Sequence, residues 1–170
     1  STLRQAAVLQ ADGTLGTWPA GRFEYGYRTS LLKRQGQGRR TVVLEADFRL
    51  QQGEVQSLRA RVAEIGSRRR ASQPSGASCG SVFKNPPGDY AGRLVEAAGL
   101  KGERRGDAVV SPIHGNFVVN EGAARAGDVR SLVELMRQEV QARFGVTLEL
   151  EIELLGEWQP MGNQYPSPSS

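Results

Sequence analysis

Apolar and polar positions change period several times along these 170 residues, and each change marks an element. Ala6 and Val8, followed by the Asp12-Gly13 pair before Leu15, predict a β-hairpin, because Asp-Gly tolerates the positive φ that a tight turn demands. From Thr41 to Leu50 the chain alternates. Val42, Leu44, Ala46, Phe48 and Leu50 fall on one side, which predicts a half-buried strand. Gly53 ends that period. Val55, Leu58, Val62 and Ile65 then recur at helical spacing, predicting a helix from about Glu54 to about Arg68. The polar stretch 69–78, with Pro74 and Gly76, has the composition of a linker and of a domain boundary. A second helix is expected to start at Asp89, whose carboxylate can cap orphan N–H groups after the Pro86-Pro87-Gly88 turn. Tyr90, Leu94, Val95 and Ala98 would face inward, and Gly99 would close it. Phe117, Val118 and Val119 make a short buried strand. A third helix from Asp128 carries Val129, Leu132, Val133, Met136, Val140 and Phe144 in one stripe, ending at Gly145. The last strand, Thr147 to Leu155, sets Leu148, Leu150, Ile152 and Leu154 against Glu149, Glu151 and Glu153. The tail 159–170 is rich in Pro, Ser and Gly and reads as frayed. No internal repeat is visible.

Composition narrows the class. With 38% hydrophobic residues the chain can bury a core, and no apolar run approaches the roughly 20 residues of a membrane span. The single cysteine, Cys79, excludes an internal disulfide framework. The single histidine, His114, excludes a His/Cys metal cluster, so no metal is expected. A soluble, cytoplasmic protein is the expectation. The first residue is Ser1, with no signal-like region after it, which reads as a processed product or a fragment. The net charge of +4 and pI of about 9.6 raise a nucleic-acid reading. The densest basic run, Arg59, Arg61 and Arg68 to Arg70, has no interleaved aromatics and no recognisable module around it, so a solvated helix end is the simpler account.

Three stretches carry chemistry that packing alone does not explain. Between Phe23 and Lys33, two tyrosines, Gly26, Arg28 and hydroxyls offer a guanidinium fork for a carboxylate or phosphate; a tyrosine-rich turn with a surface arginine is the plainer account. Between Cys79 and Gly88, small residues permit close backbone approach, Ser81 supplies a hydroxyl, and Lys84 and Asn85 suit phosphate or carbonyl recognition. The spacing matches neither a P-loop nor a nucleophile elbow, and a tight turn would use the same residues. The row Glu149, Glu151, Glu153 reads first as a solvated strand face, or else as one carboxylate turned into a cleft, where burial and a cation set its proton affinity. His114, in the loop before a buried strand, is assigned no chemistry.

Taken in order, these pieces resemble the C-terminal part of the UDP-N-acetylenolpyruvoylglucosamine reductase (MurB) family. The segments that carry the likeness are Tyr27-Arg28-Thr29-Ser30, Gly80-Ser81-Val82-Phe83-Lys84-Asn85-Pro86 and Leu148-Glu149-Leu150-Glu151-Ile152. Tyr90-Ala91-Gly92-Arg93-Leu94-Val95-Glu96, Ala98-Gly99-Leu100-Lys101-Gly102 and His114-Gly115-Asn116-Phe117-Val118-Val119-Asn120 support it, and the likeness runs to Trp158. The Cys-Gly-Ser-Val-Phe and His-Gly-Asn-Phe forms are similar to the shorter, type II branch.

The resemblance implies an α+β fold: residues 1–53 as the end of an FAD-binding domain, 54–147 as a smaller α+β substrate-binding domain, 148–158 as a strand returning to the N-terminal domain, and a flexible tail. It implies a flavoenzyme of peptidoglycan synthesis, and with it of cell-wall biogenesis, cell shape and division. NADPH reduces FAD, and the reduced flavin delivers hydride to UDP-N-acetylglucosamine enolpyruvate, giving UDP-N-acetylmuramate. Ser81 falls at the proton-donor position, and Arg28 and Glu151 at the residues that bracket the substrate carboxylate. A hydroxyl poised at the developing carbanion is a suitable acid, and a guanidinium offsets enolate charge. Tyr27, Lys84 and Asn85 are then candidates for substrate or diphosphate contacts. Two departures stand out. Arg105-Gly106-Asp107-Ala108 replaces the usual Ile-Gly-Gly-Ala, and the glycine-rich segments that hold the FAD diphosphate have no counterpart here. The enzyme's N-terminal half is therefore an expected partner. A non-catalytic nucleotide-sugar binding module is the alternative, and a nucleic-acid-binding domain ranks last.

Overall fold

The computed structural model describes residues 2–34 and 41–158; the expected tail from 159 onward lies outside them. The fold is α+β, in two compact units, Ser1–Ser75 and Gly76–Ser170.

The first unit opens with the hairpin that the sequence predicts, β1 (Leu3–Leu9) against β2 (Leu15–Pro19). Gly13 takes φ +83° in its turn, and the Asp12 carboxylate accepts the Thr14 N–H at 3.0 Å. A one-turn helix, α1 (Leu31–Arg34), follows. β3 (Val42–Phe48) pairs antiparallel with β1, giving the order β2-β1-β3. A small core of Ala6, Val8, Trp18 and Phe23 lies on this sheet, with Leu3, Leu31, Leu32 and Ala46 against it. The strand stands where the alternation places it, but its expected burial is corrected. Ala7 pairs with Glu45 and Val8 with Val43, so Leu44 is an extra residue that breaks the two-residue period. A one-residue shift sends side chains to the opposite face. The five apolar positions therefore share no buried face, and Leu44 and Phe48 stay 56% and 60% exposed.

The predicted helix is present and longer, α2 (Val55–Ser72), running four residues into the expected linker. Its apolar stripe is corrected in the same sense: no side chain of α2 is buried. Glu54 caps it through both carboxylate oxygens, accepting from Gln56 N–H at 2.8 Å and Ser57 N–H at 2.6 Å. Those N–H bonds, Gln56 first, hold the Glu54 carboxyl below its ordinary value. A lowered folded-state pKa stabilises above the ordinary titration range and loses that support as pH falls through the folded value. Acidification below the carboxylate range should therefore cost the parent more far-ultraviolet helical signal than Glu54→Gln. Identical acid titrations of the two would contradict the cap.

In the second unit β4 (Ala77–Ser81), β5 (Arg104–Arg105), β6 (Ala108–Val110) and β7 (Phe117–Asn120) form an antiparallel sheet of order β4-β7-β6-β5. Two helices, α3 (Ala91–Ala97) and α4 (Ala126–Phe144), pack around one core that includes Phe83, Leu94, Val110, Leu132, Met136 and Leu148. α4 follows the predicted stripe, and Gly145 closes it at φ +67°. Its start is corrected: Asp128 lies inside the helix, where its carboxylate accepts the Arg125 N–H at 2.9 Å, a favourable place for negative charge. α3 starts at Ala91, later than expected, and Tyr90 is 68% exposed rather than inward. Gly99 ends it as predicted, with Leu100 N–H reaching the Val95 carbonyl at 3.2 Å. The substituted loop Arg105–Ala108 is the β5–β6 turn; a Cβ on Gly106 would lie 2.8 Å from the Asp128 carboxylate.

The expected last strand shrinks to one bridge, Phe83 with Leu150. Lys84 N–H reaches the Glu149 carbonyl and Glu151 N–H the Val82 carbonyl, each at 2.9 Å. The alternation is real, since Leu148 is buried and Leu150 and Ile152 pack on the core. On the Thr147 side its partner runs into Pro86 and Pro87, which have no N–H to give.

Candidate functional site

β4 delivers Ser81. Gly80 takes φ +74°, where a side chain is disfavoured, and there the pairing with β7 slips, so that Ser81 comes opposite Phe117. The next residues are held from both sides. Asn116, 4% exposed, accepts Phe83 N–H through Oδ1 at 2.9 Å and donates from Nδ2 to the Phe83 carbonyl at 2.8 Å. Its own carbonyl takes Val82 N–H at 2.9 Å. One amide side chain thus replaces a neighbouring strand. The Ser81 hydroxyl is left without a hydrogen-bond partner among the described residues, and it faces a cavity of ≈ 380 Å³.

Asn85, Tyr90, Arg93, His114 and Asn116 also line this cavity. The Asn85 Oδ1 accepts Ala91 N–H at 3.1 Å, tying the loop to the start of α3, which leaves its Nδ2 donors for a ligand. Asp89 accepts Tyr90 N–H and clamps Arg93 through Nε at 2.7 Å and through a second contact. The Arg93 hydrogen bonds, then the Tyr90 N–H, pull the Asp89 carboxyl down to about 2, so the pair stays charged through neutral pH. The His114 Nδ1 accepts Asn116 N–H at 3.1 Å, which puts the proton of a neutral ring on Nε2. Its ring packs edge-on to Phe117 and lies over Gly92, where a Cβ would come 2.7 Å from Cε1. The cavity thus offers the Asn85 amide, the Tyr90 hydroxyl and the His114 ring beside two charged groups that are each paired, Arg93 with Asp89 and Glu96 with Lys101 at 2.7 Å. Such a set suits the oxygens of phosphates, sugars and carboxylates.

Of the residues singled out in the sequence, Ser81 and Asn85 share this cavity. Lys84 and Glu151 lie on the short pairing behind it and do not line it. Lys84 Nζ is 3.1 Å from the Glu149 carboxylate, and Glu151 is half-buried. Tyr27 and Arg28 belong to the first unit, at the tip of a two-residue turn closed by Gly26 N–H to Thr29 O at 3.1 Å and Thr29 N–H to Gly26 O at 3.3 Å. Arg28 sits at φ +54°, a conformation a side chain rarely adopts, with its guanidinium 5.9 Å from the Tyr27 ring centre. Strain of this kind concentrates at functional turns. Sequence reasoning missed His114, Arg93 and Tyr90. The four-residue spacing of Asp89 and Arg93 was a legible signal for an ion pair, and Gly92 and Gly115 were signals of close approach. Desolvation pushes the Cys79 thiol above its ordinary value, which argues against a nucleophile. Among the described residues no group of three His, Cys, Asp or Glu side chains could hold a metal ion.

Residues 72–155 match the family model described as "UDP-N-acetylenolpyruvoylglucosamine reductase, C-terminal domain". Two relatives with that enzyme's name, from Chloroflexus aggregans and Anaeromyxobacter dehalogenans (strain 2CP-1), are 49% and 50% identical over 91% and 86% of this chain. The matches cover 52% and 43% of those proteins, so the chain spans about half the length of the curated relatives it matches. A crystal structure of UDP-N-acetylenolpyruvylglucosamine reductase (MurB) from Thermus caldophilus is similar with a TM-score of 0.75 at 39% identity, covering 89% of this chain and 52% of that one. A fold, an ordered motif set and a sequence likeness that agree over both units place this chain in the UDP-N-acetylenolpyruvoylglucosamine reductase family, whose C-terminal domain it carries.

Proposed function

We propose that this chain supplies the substrate domain and the catalytic residues of a cytoplasmic, type II flavoenzyme of peptidoglycan synthesis. That enzyme reduces UDP-N-acetylglucosamine enolpyruvate to UDP-N-acetylmuramate. The observation that carries the reading is the Ser81 hydroxyl, unpartnered among the described residues, on a peptide held from both sides that opens into a cavity lined by polar side chains. FAD, reduced by NADPH, supplies the hydride when it is bound. The glycine-rich segments that would hold the FAD diphosphate have no counterpart in this sequence, so the flavin would be held by the enzyme's other portion.

The parts assigned to this chain are protonation and charge. Addition of hydride to the vinyl carbon leaves negative charge at the neighbouring carbon, shared with the substrate carboxylate. Ser81 gives that carbon its proton, and a neutral acid adds no competing charge. Arg28 offsets the charge as it forms, and Glu151 acts as the arginine's partner or as a relay to the enolic oxygen. Asn85, Lys84 and Tyr27 hold the nucleotide-sugar end. His114 and Arg93, which also line the cavity, join them as donors.

The test joins this chain to the N-terminal portion of a relative and follows NADPH oxidation that depends on the enolpyruvyl substrate. Turnover is expected. Binding of the nucleotide sugar without turnover would turn the reading into a binding module. In the same assay Asn85→Asp keeps the oxygen that accepts Ala91 N–H but replaces two donors with a negative charge. We expect KM to rise by about tenfold or more, since an unpaired, repelling group costs over a kcal/mol, while the melting temperature holds. A lower melting temperature with unchanged KM would make Asn85 structural only.

A further inference from the structure

The loop between β6 and β7 is tied to itself and then to the residues after Ser81. Ser111, fully buried, accepts Ile113 N–H at 3.1 Å and His114 N–H at 3.2 Å through its hydroxyl oxygen. Its own N–H reaches the Phe117 carbonyl at 2.8 Å, and Phe117 N–H reaches the His114 carbonyl at 3.1 Å. The His114 ring is held between Gly92, where a Cβ would come 3.1 Å from Nδ1, and Phe117, whose ring centre is 5.0 Å away. In that pose Nδ1 accepts the N–H of Asn116, a buried residue. A buried N–H that loses its acceptor is costly, so the ring fixes where Asn116 stands. Asn116 in turn makes three bonds to Val82 and Phe83, the two residues after Ser81. His114 is thus one residue removed from the mount of the Ser81 hydroxyl, and it lines the same cavity.

We propose that His114 is a positioning residue for the protonation step. Its Nδ1, by accepting Asn116 N–H, sets the clamp that aims the Ser81 hydroxyl. Its Nε2–H is left for a ligand oxygen, because a neutral imidazole has one acceptor and one donor. The near nitrogen then governs rate and the far one affinity, so the two duties separate by substitution. Asparagine places Oδ1 at the near position and reaches no farther. Glutamine reaches the far position and leaves the near one without an acceptor. The duty toward Ser81 rests on the enzyme reading above; the hold on Asn116 does not.

Kinetics and hydrogen exchange test it together. In this chain joined to the N-terminal portion of a relative, His114→Gln should lower kcat for enolpyruvyl reduction by about tenfold or more with KM near the parent's, since a slightly misplaced acid is costly in rate. His114→Asn should do the opposite, raising KM by about tenfold while keeping most of kcat. In the chain alone, exchange at the Val82 and Phe83 amides, read by NMR, should quicken by about tenfold in His114→Gln and hold the parent's rate in His114→Asn. Val110, whose N–H goes to the Glu103 carbonyl, should be unchanged in both. Equal kcat losses in the two variants overturn the positioning. So does quickened exchange that spreads to Val110, which would make His114 structural only. Turnover in the joined parent separates the two ideas. The expected exchange pattern without turnover keeps His114 as the residue that sets Ser81 and removes the enzyme reading, while turnover with equal exchange in both variants does the reverse.

Discussion

Ser81→Ala in the joined enzyme is expected to leave flavin reduction by NADPH at its normal rate while reduction of the enolpyruvyl substrate falls about 10²–10⁴-fold, the usual contribution of a positioned acid. That corresponds to about 3–5 kcal/mol of barrier. The split is the informative part. The first half-reaction asks nothing of Ser81, and the second needs its proton. Folding should be indifferent, because the hydroxyl bonds no described residue and its peptide is tied through Val82 and Phe83 instead. Stopped-flow measurement of each half-reaction decides. If both persist at normal rates, Ser81 is not the proton donor.

The largest effect on stability is expected at Gly115→Ala. Gly115 is buried, and a Cβ there would lie 2.6 Å from the Gly92 carbonyl oxygen and 3.3 Å from the Val95 Cβ. The obstacle is helix backbone, so it cannot turn aside as a side chain would. Overpacking of this kind costs about 1–3 kcal/mol, occasionally more. For a domain of this size each kcal/mol lowers the melting temperature by about 4–8 °C. Gly127→Ala is the contrasting case: nothing lies within 4 Å of its added methyl in α4, so the helix should be unharmed or gain slightly. Thermal unfolding by circular dichroism compares the two, and a Gly115→Ala that melts like the parent would show that α3 yields freely. The same displacement moves Asn116 and His114, so losses of substrate affinity should track the losses of stability.

How far the amino-acid order foretold these features depends on who supplies the partner. α4 was legible because one stripe, Leu132 to Val140, meets one core, and Gly145 ends it. Ser81 and Asn85 were legible as a small-residue loop with a hydroxyl and an amide. β4 and β5 were not, since Ala-Ser-Cys-Gly-Ser and Arg-Arg have little strand preference and are paired only because β7 and β6 stand beside them, while β6, Ala-Val-Val, is too short a run to stand out. The burial expected of β3 failed at a bulge, which no hydropathy pattern encodes. Tyr90 was misplaced because helical spacing was counted from Asp89, whereas Asp89 spends its carboxylate on Tyr90 N–H and Arg93 before the helix begins. His114 was assigned no chemistry because its meaning lies in an acceptor bond from a residue two positions on, visible only once the loop has closed.

The clamp on Phe83 sets where motion can occur. With Asn116 on one side and the Glu149–Glu151 main chain on the other, the peptide that follows Ser81 is among the last parts of the second unit that could open. A hydroxyl on so still a mount cannot chase its target. Timing in a catalytic cycle would then be set by the arrival, settling and departure of the nucleotide sugar, with the acid as the fixed point against which they are measured.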